Sequence, residues 1–139
     1  MKTSKVAAER PADLEELFRS GGSVDDGNLA AVLKGKVYLS KDAVDRVFIE
    51  EGFRKVSASS KLLAVGLALH VLRRKGLAKD EDLAKPAEWY AEQIQDKPKY
   101  VLEQLSKLKG RMLFDRTDLG YRIPTWGVRR ALDSLAKPD

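Results

Sequence analysis

Residues 86–123 read PAEWYAEQIQDKPKYVLEQLSKLKGRMLFDRTDLGYRI, and this stretch decides the fold. Pro86 marks a helix start, and Ala87, Tyr90, Ala91 and Ile94 fall on one helical face. Gln95-Asp96 makes a short turn, with Asp96 placed to cap the next helix and Pro98 in its first turn. Residues 97–109 carry Val101, Leu102, Leu105 and Leu108 as an apolar stripe, and Gly110 ends the pattern. Met112-Leu113-Phe114 then reads as a strand, 116–120 as a turn and Tyr121-Arg122-Ile123 as a returning strand. Two short amphipathic helices joined tightly and followed by a hairpin define one compact unit.

Working outward, residues 59–75 (SSKLLAVGLALHVLRRK) hold the longest apolar pattern. Serines open it, Arg73, Arg74 and Lys75 suit the negative end of a helix dipole, and Gly76 stops it. Its leucines and valines point almost all round, as in a helix buried on several sides. Ala64, Gly66 and Ala68 would admit a second helix closely, either within the domain or across a subunit interface. On the far side, 125–136 reads as a closing helix with Trp126, Val128, Leu132 and Leu135 packing inward.

The N-terminal third is less regular. Short helices are expected over 13–19, with Leu14, Leu17 and Phe18 on one side, and over 25–33. Lys36 to Leu39 alternates like a strand, and Ser40 is placed to cap a helix over 41–51. Residues 1–35 are expected to form a partly helical arm, and 36–139 the main domain.

Composition narrows the chemistry. The chain has 139 residues, 43% hydrophobic and 34% charged, enough for one cored domain with a heavily charged surface. The absence of cysteine excludes disulfides, thiolate metal sites and cysteine nucleophiles. A single histidine, His70, excludes zinc sites built on two or more histidines. It lies in the most apolar helix and reads as a core histidine. No phosphate-cradling glycine loop occurs, since Gly21-Gly22 has no following Lys-Ser or Lys-Thr. The acidic runs Asp25-Asp26, Glu50-Glu51 and Asp80-Glu81-Asp82 read as dipole complements or solvated turns rather than a magnesium site. No enzyme, cofactor or metal is expected. No apolar run reaches the ~20 residues of a membrane span, and residues 1–10 lack a signal-peptide core, so a soluble cytoplasmic protein is expected.

The net charge of +5 is unevenly spread. Residues 1–56 hold 10 basic and 10 acidic side chains, whereas 97–130 hold 9 basic against 3 acidic. Such an excess can make a cationic face toward a polyanion.

The order of elements and the segment VLEQLSKLKGRMLFDRTDLGYRI, residues 101–123, resemble the winged helix-turn-helix superfamily, common in microbial DNA-binding regulators. The resemblance spans about 62–123, less than half the chain. It implies a mainly α fold with a β-hairpin wing and extra N-terminal helices. It also implies duplex DNA binding, as a regulator or accessory factor associated with the nucleoid. Its second helix would enter the major groove. Gln104 would then be placed for an adenine edge and Glu103 for cytosine, unless Glu103 pairs with Lys99 or Lys107. Lys97, Lys99, Tyr100, Lys107, Lys109 and Arg111 would flank them, with lysines on phosphates. Arg116, Thr117 and Arg122 would lie on the wing, with Asp118 opposing them. A homodimer spanning two half-sites is expected, through the N-terminal segments or the apolar central helix. Two alternatives stay open. One is a protein-assembly module; the other is a single-strand or RNA binder using Trp89 and Tyr100.

Overall fold

The computed structural model describes residues 24–137, so the helix expected over 13–19 lies outside the described residues. Asp25 caps α1 (Asp26–Leu33), its carboxylate accepting from the Asn28 N–H at 2.7 Å. Val24, Leu29 and Leu33 belong to the main buried cluster.

The expected strand at 36–39 is present as β1 (Val37–Ser40), but the expected helix over 41–51 is not. Those residues form β2 (Ala43–Ile49), antiparallel to β1, with Val37 opposite Ile49 and Tyr38 opposite Phe48. Two forces overturn the helical reading. Val44, Val47, Phe48 and Ile49 are β-branched or aromatic, which favours the pleated state. The Ser40 hydroxyl also accepts from the Asp42 N–H at 3.1 Å, fastening a turn rather than a helix start.

The long apolar pattern forms α2 (Ala58–Arg74), with Ser57 as N-cap. Leu62, Ala64, Val65, Leu67 and Ala68 are completely buried. The covering elements belong to the same chain: α1, the β1–β2 hairpin, and the helices α3 (Ala87–Ile94), α4 (Pro98–Gly110) and α5 (Val128–Ala136). Most of the helix is thus covered within the chain, while Ala68 and Val71 line a surface depression with Leu29, Leu33, Val37 and Leu39. Of its small residues, Gly66 admits the base of a hairpin, and Ala68 lies beside Leu29 and Leu33 of α1. A Cβ built on Gly66 would sit 2.7 Å from Ile123 Cδ1 and 3.0 Å from Phe114 Cζ. His70 is a core histidine, as read: its Nε2 lies 2.6 Å from the Ile123 carbonyl oxygen. Burial lowers its pKa to about 4, opposed by that bond and assisted by the charges of Arg73, Arg74 and Arg122. The neutral ring thus donates Nε2–H to the carbonyl.

After a 3-10 turn at Asp80–Leu83, Lys85 makes an isolated antiparallel bridge to Tyr121. Then follow α3, α4 and the hairpin of β3 (Asp115–Thr117) and β4 (Gly120–Arg122). The described residues are mainly helical with two small hairpins, each of two strands. Strands were expected at 112–114 and 121–123. The first starts three residues later because 111–114 close α4 instead. Met112 takes left-handed backbone at φ 63, and the Leu113 N–H reaches back to the Leu108 carbonyl at 2.9 Å. Leu113 and Phe114 then drop into the core. The closing helix starts at Val128, preceded by a 3-10 turn at Thr125–Gly127. Trp126, expected inside, is therefore 58% exposed on that turn.

Candidate nucleic-acid interface

The turn between α3 and α4 is set by backbone closure. Gln95 ends α3 in left-handed backbone at φ 58, and the Asp96 N–H bonds the Ala91 carbonyl at 3.0 Å. Asp96 does not cap α4, contrary to expectation. It sits one residue early, and its carboxylate accepts only from the Lys97 N–H, at 2.8 Å. Lys97 is the N-cap, and Pro98 occupies the first turn, where a missing N–H costs nothing.

Val101, Leu105 and Leu108 anchor α4 in the core. Leu102 was expected beside them but is 44% exposed. At 100° per residue it falls well off the stripe set by the other three. The opposite side of the helix carries Lys99, Tyr100, Glu103 and Lys107, all exposed, with Tyr100 at 42%. Lys97, Lys109 and Arg111 are exposed at its two ends. Among the described residues none of these five cations lies within ion-pair distance of a carboxylate, so Glu103 neutralises neither Lys99 nor Lys107. Five cations against one carboxylate on a single short helix leave a positive face.

Gln104 is placed differently from the expectation. It is half-buried, and its Oε1 accepts from the Ser59 hydroxyl at 3.2 Å. The amide is turned toward the first turn of α2, away from the centre of the exposed face. The Ser59 partnership spans 45 residues, so helical spacing within α4 carries no trace of it.

The hairpin lies beside this helix in the chain and is held by the core. Lys85 and Tyr121 exchange N–H···O bonds of 2.8 and 2.9 Å, and the buried Tyr90 hydroxyl donates to the Tyr121 carbonyl at 2.9 Å. Burial pushes the Tyr90 phenol pKa up, so it stays a donor. Asp118 and Leu119 form the tip, both exposed. Arg116 is exposed, its guanidinium carbon 5.8 Å from the Tyr121 ring centroid. Thr117 is a turn residue: its hydroxyl accepts from the Leu119 N–H and donates to the Gly120 carbonyl. Arg122 was expected on the binding surface. It is half-buried and paired across the hairpin with Asp115 at 3.5 Å. Strand register, which places 115 opposite 122, creates that pair.

Trp89 is half-buried and committed elsewhere. Its Nε1–H donates to the Asp45 carbonyl at 3.0 Å, and Lys85 Nζ stands 5.4 Å from its ring centroid. It is therefore not a free stacking platform, whereas Tyr100 is open. The acidic runs are engaged as single side chains. Asp25 caps α1, Asp26 pairs with Arg74 at 2.8 Å, and Asp80 pairs with Arg73 at 3.0 Å. Among the described residues no group of three or more His, Cys, Asp or Glu side chains could hold a metal ion. Among them, too, no helix is long and apolar enough to cross a membrane.

No protein-family model, no curated protein and no solved structure matches this chain.

Proposed function

We propose that the chain is a winged-helix protein that binds duplex DNA, with α4 in the major groove and the β3–β4 hairpin as wing. The single observation that carries the reading is the cationic face of α4, which has no ion-pair partner among the described residues. The chain order also supports it: α2, a bridging residue, α3, a tight turn, α4, then the hairpin. The role is binding rather than catalysis, as a regulator or accessory factor acting on cytoplasmic, nucleoid DNA.

Lys97, Lys99, Lys107, Lys109 and Arg111 take phosphates, which position the protein. Glu103 and Tyr100 face the bases, and Glu103 can accept from a cytosine amino group. Gln104 is a supporting contact at most while Ser59 holds it. Arg116 meets the backbone or minor groove, and Arg122 braces the wing. A homodimer remains part of the proposal because one such domain makes a small DNA interface. A salt-dependent mobility shift on random duplex tests the reading. Five phosphate contacts give a log–log salt slope near roughly −4.5. The exposed Leu102, Met112 and Trp126 favour a protein-assembly role instead, and absence of duplex binding at low salt would leave that as the better account.

A further inference from the structure

The β1–β2 hairpin turns one sheet face outward. Tyr38 and Phe48 lie opposite each other in register and stack, with ring centroids 5.0 Å apart and planes 12° from parallel. Tyr38 is 49% exposed and forms the outer ring of the pair. Arg46, two residues from Phe48 on the same strand face, places its guanidinium carbon 5.9 Å from the Phe48 centroid. A depression of about 240 Å³ opens there, lined also by Arg54 and Lys61. Three cations thus converge from β2, from the turn after Glu51–Phe53 and from the first turn of α2. The one carboxylate among the lining residues is Glu92. Arg54 has a loose exposed pair with Glu51 at 3.7 Å. Lys61 donates one N–H to the Arg54 carbonyl at 3.0 Å and keeps two more.

The platform is rigidly mounted. The Val47 N–H donates to the buried Gln93 side chain at 2.9 Å, and Trp89 donates to the Asp45 carbonyl. Both bonds tie the β2 edge to α3. An exposed aromatic ring lining the same depression as three cations, on a fixed sheet, has a definite chemical complement: a flat π-face carrying an anion.

We infer that this face binds an unpaired nucleobase with its phosphate, the base stacking on Tyr38 and the phosphate held among Arg46, Arg54 and Lys61. The ligand comes from a single strand or a free nucleotide. The site shares no residue with α4 and does not rest on the duplex reading.

Fluorescence anisotropy of the full chain with a labelled oligothymidylate of about 15 nucleotides tests it, with thymidine monophosphate as competitor. The expected result is binding with a log–log salt slope near roughly −2, for three single-strand phosphate contacts. Tyr38→Ala should weaken it roughly tenfold, and Tyr38→Phe should restore it. Arg46→Gln with Lys61→Gln should flatten the slope by about 1.4. Lys99→Ala with Lys107→Ala should leave the dependence on Tyr38 in place. Full competition by the mononucleotide identifies a free nucleotide as the natural source; competition by longer strands alone identifies a single strand. No binding would overturn the inference. So would binding insensitive to Tyr38, Arg46 and Lys61, or binding lost only in the α4 variant. Self-association that Tyr38→Ala abolishes, with no nucleotide bound, would assign the face to a second copy and overturn it equally.

Discussion

Gln95 and Met112 take left-handed backbone, at φ 58 and 63, where α3 and α4 end. A side chain there costs about 1 kcal/mol that glycine avoids. Gln95→Gly should therefore raise the unfolding free energy by about 1 kcal/mol in a urea titration, because the native turn is kept and its strain removed. A decrease would mean that the Gln95 side chain itself holds the turn. The turn at Gln95-Asp96 was legible, but the left-handed backbone at either position was not. The sequence signal for a helix end is glycine, yet Gly110 completes α4 and the left-handed position falls two residues on, at Met112. His70 was legible, since a lone histidine among leucines has few alternatives to a buried hydrogen bond. Its folded pKa of about 4 lies below the ordinary 6.5. Above pH 6.5 the ring is neutral in both states and its contribution is complete. As pH falls toward 4 the unfolded chain takes the proton and the folded one resists, so stability drops. From pH 7 to pH 5 the loss should be about 2 kcal/mol, and a His70→Gln variant should lack that component. An equal loss in both proteins would place the pH dependence elsewhere.

At the scale of elements, Gly120 joins two parts that the sequence does not link. Its φ is 128, and a Cβ there would collide with the Lys85 carbonyl that accepts from Tyr121. Gly120→Ala should break that bridge and cost about 2 kcal/mol or more, read by thermal melting. A melt within error of the native protein would show that the wing and the α3 entrance are independent. Helices α2, α3 and α4 could be read from periodicity, because their core stripes repeat along one segment. The β1–β2 hairpin could not. Val44, Val47 and Phe48 satisfy a helical stripe as well as a strand over so short a span. Propensity and the Ser40 turn favour the strand, and Gln93 and Trp89 add partners for its edge from more than forty residues away. The same limit applies to the interface. The cations of α4 were legible from local spacing. The diversions of Gln104 to Ser59 and Arg122 to Asp115 depend on partners that only packing or strand register brings close.

At the scale of the whole molecule, charge and packing separate cleanly. Most of the apolar girth of α2 is covered by α1, α3, α4, α5 and the hairpins of the same chain. The cations of α4 remain without ion-pair partners among the described residues, and a field of one sign persists there. The most direct measurement is the affinity for random duplex DNA across a salt series, for the native chain and for Lys99→Ala with Lys107→Ala. The account predicts a log–log slope near roughly −4.5 that flattens by about 1.8 in the double variant, with the melting temperature unchanged. A chain that leaves duplex DNA free in dilute buffer, or a slope indifferent to both lysines, would contradict it.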